Sequence, residues 1–268
     1  MALFGLLKSK EEKQAVAEAR RVLNETGPKL VEADQPGQAL AIAQSVSANA
    51  SLEALPVKER TELTDRAFST YWESLLADDI LTSEEEEQFL KVSEALGLNI
   101  GDVDSRHPQL LSRLIVAKVN DGRLEEIDQP QIIRKRGEVV HLEVGAKLLK
   151  EVALREFRAG SQGLSFQVAK GVRYRVGAIR GHMVTVGTEM KVQDTGSLSV
   201  TSQRVAYLGS AKSSEILFTK LMGMEVFTDG IRLQASNRQN PLLFRFTQAV
   251  SGDAVAATIN AAMQHSLE

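Results

Sequence analysis

A basic cluster stands out in KGVRYRVGAIRG, Lys170 to Gly181, where Lys170, Arg173, Arg175 and Arg180 fall within eleven residues. Guanidinium forks pair with phosphate or carboxylate oxygens through charge-assisted hydrogen bonds, so this cluster offers capture of an anion. On a strand, Arg173 and Arg175 share one face while Val172, Tyr174 and Val176 take the other. The same pattern also describes a solvated sheet face, a common place for basic side chains. Acidic residues are grouped too. Asp78 and Asp79 stand close to the run Glu84 to Glu87, a set that helix capping and solvation explain at least as well as loose cation binding. Around Gly122, Ala117 and Val119 occupy positions where a calcium loop needs oxygen donors. No metal and no cofactor are expected.

Catalytic signatures are missing. The four histidines, His107, His141, His182 and His265, are scattered, and no nucleophile elbow, phosphate loop or zinc-helix motif occurs. His141 and Glu143 would share one strand face, which is more often a surface contact than a catalytic pair. The expectation is a non-enzymatic binding module. Its rival is a hydrolase or ligand-processing enzyme with a site between two halves of the chain, marked by a pocket where two or more titratable groups converge.

The 268 residues are 43% hydrophobic and 25% charged, enough for a sizeable core in one large domain or two ordinary ones. The chain has no cysteine, which excludes disulfides, thiol nucleophiles and iron–sulfur clusters and fits a reducing cytoplasm. No apolar run approaches the roughly 18 residues of a membrane span. At the start, Ala2 to Leu7 is apolar and the lysines follow, the reverse of a secretory signal. That stretch reads as a helical turn docking on the body. The sharper alternative is a short peripheral anchor on the inner membrane surface, with Leu3, Phe4, Leu6 and Leu7 dipping in and Lys8, Lys10 and Lys13 at the headgroups.

Charge and periodicity both change near Asp128-Gln129-Pro130-Gln131. Residues 1–130 hold 14 Lys+Arg and 24 Asp+Glu, a net of −10; residues 131–246 hold 18 and 9, a net of +9. The division is an acidic helical domain over 1–128 and a β domain over 131–265. Such opposite charges steer association within or between chains, so a head-to-tail homo-oligomer is one expectation.

In the first half the spacing predicts a helix from Gln14 to Asn24, stopping before Gly27-Pro28. A second carries Ala39, Ile42, Ala43 and Val46, with Pro36 in its first turn. A third starts at Pro56, with Phe68, Trp72, Leu75 and Leu76 on one face. Thr82 and Glu85 form a capping box for a fourth, which buries Phe89, Val92 and Leu96 and ends at Gly97. A last helix opens at Pro108, turns Leu111, Leu114 and Ile115 inward and closes near Asn120-Asp121-Gly122.

In the second half, Val140, Leu142 and Val144 alternate with Val139, His141 and Glu143. Leu164, Phe166 and Val168 repeat the period of two, as do Val172, Tyr174 and Val176. Further strands carry Leu198 and Val200, Val205 and Tyr207, Ile216 and Phe218, and Leu243 to Phe246. Asp229-Gly230 reads as a tight hairpin with positive φ at both positions. Asp253 to His265 returns to helix, with Val255, Ile259, Ala262 and Met263 on one face. The fold class is therefore α+β: an all-α bundle, then an antiparallel barrel or sandwich capped by one C-terminal helix.

A partly open barrel of about seven strands closed by a helix is the pleckstrin-homology (PH) arrangement. GSLSVTSQRVAYLGSAKSSEI, Gly196 to Ile216, resembles the bacterial PH-like and GRAM-type strand pair, and MEVFTDGIRLQASNRQNPLLFRF, Met224 to Phe246, resembles the family's next hairpin and closing strand. An extra hairpin-like segment, Val139 to Phe157, departs from the minimal pattern. Phe68 to Leu98 is similar to tellurite-resistance (TerB-like) helical domains, although Ile80 stands where their turn has glycine. The resemblance implies an adaptor that binds a protein partner or an anionic lipid surface, with Lys170, Arg173, Arg175 and Arg180 as the anion-binding residues. Nucleic acid is disfavoured, because the aromatics Phe166, Tyr174, Tyr207, Phe218, Phe244 and Phe246 fall on the apolar face and leave no stacking platform.

Overall fold

The computed structural model describes residues 10–33, 35, 37–161, 164–169, 172–176 and 179–266, with the backbone alone described between 153 and 188. Six helices come first: α1 (Lys10–Val31), α2 (Gln38–Ser47), α3 (Val57–Leu75), α4 (Ser83–Ala95), α5 (Ile100–Arg106) and α6 (Leu110–Asn120). Nine strands follow: β1 (Val140–Ser161), β2 (Leu164–Ala169), β3 (Val172–Val176), β4 (Ile179–Thr201), β5 (Arg204–Gly209), β6 (Ser213–Leu217), β7 (Leu221–Phe227), β8 (Gly230–Ala235) and β9 (Leu242–Phe246). Helix α7 (Gly252–His265) is the last described element.

Local signals set most helix ends. Thr82 accepts from the Glu85 N–H at 3.3 Å while the Glu85 carboxylate accepts from the Thr82 N–H at 2.8 Å, a complete capping box. At the other end Gly97, with φ of 68°, lets the Leu98 N–H reach the Ser93 carbonyl and its own N–H reach Glu94. Pro56 starts α3, and Phe68, Tyr71 and Trp72 are buried along it.

Elsewhere tertiary packing overrode the local signal. Helix α1 runs on through Gly27 and Pro28 to Val31. Gly27 is buried against Ala67 and Thr70 of α3, where an added Cβ would lie 3.1–3.3 Å from its neighbours, so the glycine permits close helix contact rather than ending the helix. Burial of Leu23 and Leu30 on either side outweighs the missing proline hydrogen bond. In α6 the inward residues are Leu110, Leu114 and Ala117; Leu111 is 40% exposed. Pro36 lies outside the described residues.

The main sheet has seven antiparallel strands in the order β6-β5-β4-β1-β9-β8-β7. Its edges do not pair with each other, so it is open. Seven strands laid flat would span about 29 Å, at about 4.8 Å per gap. The edge strands β6 and β7 are consecutive in sequence and joined by the three residues Phe218–Lys220, which reach at most about 14 Å. The sheet must therefore roll until its edges approach. Phe218, expected in a strand, sits in this 3-10 turn and is buried. The rolled interior holds Val144, Leu148, Leu198, Tyr207, Phe244 and Phe246.

The segment from Val139 to Phe157 is not a separate hairpin. Val140 to Ser161 forms one 22-residue strand, paired with β4 from Thr201 back to Ile179. Among the described residues a third strand joins this pair only near its base, β9 at 146–149 and β5 at 196–200. Beyond that, β1 and β4 continue as a two-stranded ribbon, and the β2–β3 hairpin lies between them in sequence.

The β7–β8 hairpin also forms, but its loop is Thr228-Asp229 and neither Asp229 nor Gly230 has positive φ. Gly230 is required for another reason: a Cβ there would run into the Phe244 carbonyl of β9. Helix α7 packs against β1, β4, β7 and β8 on one side and α6 on the other. This double contact explains why Ala256 and Thr258 are buried along with Val255, Ile259 and Ala262.

Candidate functional sites

Two regions bear on function. In the basic ribbon, Lys170 lies outside the described residues. Arg173 and Arg175 occupy alternate positions of β3, paired with Gln167 and Ser165, and Arg180 pairs with Gly160 where β4 begins. Their side chains lie outside the described residues. Residues 153–188 hold six Lys+Arg and one Glu, more than half of the net charge of the β half.

The second region lies between the halves. Helix α6 joins them: Ser112 accepts from the Ser251 N–H at 2.8 Å, just before α7, and Ile115 and Val116 pack on the β core. Between α4, α6 and β1 a cavity of about 330 Å³ opens, with Leu114, Val144 and Val250 buried in its depth and Leu90 and Leu111 exposed at its mouth. Six titratable residues border it: Glu86, Lys118, Arg123, Glu125, His141 and Glu143. The hydrolase reading asked for such a convergence, so what each group bonds to decides its chemistry.

Most of these groups are tied to one another. Lys118 bridges Glu86 and Glu125, while Arg123 bonds Glu86 at 2.6 Å, Asp121 at 2.8 Å and the Leu81 carbonyl. Burial pushes the Glu86 carboxyl up, but Lys118 and Arg123 outweigh it and hold the acid below its ordinary range. Burial pulls Lys118 down, and Glu125 and Glu86 more than restore it, leaving the amine above its ordinary value. Both shifts favour the charged forms at neutral pH, the opposite of a proton-transfer group poised near pH 7.

His141 and Glu143 share a strand face as expected but do not bond to each other. The His141 Nδ1 lies 2.8 Å from the Glu125 carbonyl, which makes Nδ1 the donor. Glu143 Oε2 accepts from the Gln131 N–H at 3.0 Å and the Ser199 hydroxyl at 3.3 Å. The histidine–carboxylate pair that does form is His107 with Asp65, at 2.8 Å, alongside Arg106. It fastens the end of α5 to α3, beside Trp72, whose ring meets His107 edge-on at 5.9 Å.

Sequence reading missed the buried ion network of the β half. Arg204 donates from Nε to Glu138 Oε1 at 2.7 Å and from Nη2 to Oε2 at 3.0 Å, and also meets Glu215 and the Ile133 carbonyl. Thr201 adds a hydroxyl bond to Glu138 at 2.8 Å. The only local signal was Thr201 and Arg204 inside the stretch Gly196 to Ile216; Glu138, 66 residues away, carries none. This network clamps the linker between the halves onto β5.

Within the acidic run, Glu85 caps the helix, Glu86 is paired, and Glu87 bonds Lys91 at 2.6 Å. Among the described residues no group of three or more His, Asp or Glu is placed to hold a metal ion, and no helix is long and apolar enough to cross a membrane. Tyr207, Phe218, Phe244 and Phe246 are core residues. No protein-family model matches the chain, and a search of curated proteins finds none that matches it either.

Proposed function

We propose that this chain is a cytoplasmic, non-enzymatic binding module, an adaptor whose PH/GRAM-like β half engages a protein partner or an anionic membrane surface. The observation that carries the reading is the ribbon composition: six basic residues against one acidic one over 153–188, on a strand pair that no third strand joins beyond its base among the described residues. Basic residues near an acidic lipid surface contribute about 1 kcal/mol each, so a cluster of this size suffices for peripheral attachment at low salt. The cleft supports the same reading, since its lysine, arginine and paired carboxylates are neutralised in place rather than aimed at a reacting atom.

Co-sedimentation with vesicles tests it. The protein should pellet with phosphatidylserine-containing vesicles at low salt, stay soluble with phosphatidylcholine alone, and release as salt rises. Arg173→Ala/Arg175→Ala should weaken attachment about thirtyfold, as two lost contacts of about 1 kcal/mol each require. Absence of pelleting at low salt, or no effect of the double variant, overturns the membrane form of the proposal. Light scattering over the same salt series tests head-to-tail pairing of the acidic and basic halves, which requires a mass above the monomer at low salt.

A further inference from the structure

We infer that the cavity between the helical and β halves is a binding site for a small amphipathic cation, a molecule with an apolar body and an amine or ammonium head. Three observations converge on it. The first is size: about 330 Å³ falls within the range of small-molecule sites and holds roughly ten heavy atoms at about 30 Å³ each. The second is its wall. Leu114, Val144 and Val250 form a buried apolar floor, while Leu90 and Leu111 stand 49% and 40% exposed at the mouth. Exposed leucines continuous with a buried apolar floor leave surface in water that an apolar ligand would cover.

The third observation sets the head group. Three carboxylates line the cavity, Glu86, Glu125 and Glu143, against two cations, Lys118 and Arg123. Asp121 lies on Arg123 as well, which leaves the cations fully compensated and the carboxylates in excess. Outside that ion network, Glu143 and His141 offer acceptors to the cavity. Glu143 uses only Oε2, and Oε1 has no partner among the described residues. His141 gives its Nδ1 proton to the Glu125 carbonyl, which makes Nε2 the acceptor of the neutral ring. A donor head with positive charge satisfies both, whereas a carboxylate head meets lone pairs and net negative charge.

Calorimetric titration of the full chain with hexylamine, octylamine, octanol and octanoate, below their micellar concentrations, tests this. One amine should bind per chain, about fourfold more tightly for each added methylene, until the body exceeds the cavity. Octanol should bind more weakly and octanoate most weakly. Glu143→Gln should weaken octylamine by about tenfold or more and leave octanol unchanged. Leu111→Trp, which fills the mouth from an exposed position, should weaken every member of the series, and Leu90→Trp provides the same test if that variant does not fold. Octanoate binding as tightly as octylamine, affinity independent of chain length, or unaltered binding by a folded Leu111→Trp or Leu90→Trp protein would each overturn the inference. Vesicle attachment through the ribbon is read separately, so loss of either activity is distinguishable from loss of the other.

Discussion

Two kinds of ion pair, exposed and buried, stand out when the helical and β halves are compared. In the helical half, Lys29 with Glu25, Lys91 with Glu87 and Arg21 with Glu18 are neighbours on one helix face, largely in water. In the β half, Arg204 and Glu138 are 8% and 4% exposed and joined by two parallel hydrogen bonds. Exposed pairs contribute about 0–1 kcal/mol because water screens them and side-chain entropy opposes them. A buried pair contributes mainly by making its own loss expensive, since either partner alone would be a charge out of water. The difference teaches what each kind of pair specifies: exposed pairs decorate a face, whereas a buried clamp fixes one arrangement, Asp65 with Arg106 and His107 holding α5 on α3 and Arg204 with Glu138 holding the linker on the sheet.

Removal of Arg204 should break that contrast most sharply. Arg204→Ala leaves Glu138 buried without its partner and should cost about 3–5 kcal/mol in urea unfolding. Trp72, the single tryptophan, is buried in the helical half and reports on it alone. Ile115 and Val116 of α6 pack on the β core while Leu114 and Ala117 belong to the helical core. The Trp72 fluorescence transition should therefore move with the circular dichroism transition. A Trp72 transition that stays in place would show the halves to unfold independently.

A smaller effect is expected from acid. Asp194 is held down to about 2, first by the Ser210 hydroxyl, against a burial cost, and then by the N–H groups of Ala211, Lys212 and Thr195. Its folded pKa is depressed from 3.8, so the stability it adds is complete above pH 4 and is lost as pH falls toward 2. Asp194→Asn should flatten the acid limb of the stability curve over that window, measured by unfolding at a series of pH values. An unchanged acid limb would remove Asp194 from the account of the β5–β6 turn.

The smallest change is expected on the bundle surface. Lys91→Ala should alter stability by less than about 0.5 kcal/mol, because its bond to Glu87 is an exposed i,i+4 pair. A loss comparable with that of Arg204→Ala would erase the distinction between exposed and buried pairs.

The elements themselves were largely legible from sequence. The Thr82–Glu85 box, the Gly97 and Gly122 stops and the Val255–Ile259–Ala262 stripe depend on neighbours within a few residues, and each stands where spacing placed it. The failures share a cause. Gly27-Pro28 reads as a helix stop until α3 packs against it, and Asp229-Gly230 reads as a turn with positive φ until β9 is known to press on Gly230. The cleft was legible only as a possibility between the halves. Its lining comes from α4, α6, β1 and the segment before α7, and no periodicity within one element reveals that they meet.

By itself the amino-acid order determined the succession of helices, strands and final helix, and the separation of acidic from basic charge. Hydrophobic period, caps and composition act over one or two turns or a few strand positions and need no distant partner. Only the tertiary structure decided that β1 and β4 run on as a ribbon, that Arg204 finds Glu138 66 residues away, and that Ser112 meets Ser251 across 139 residues to shape a cavity. Those contacts form only after the chain has closed loops that long, and the side chains that make them carry no local mark of their partners.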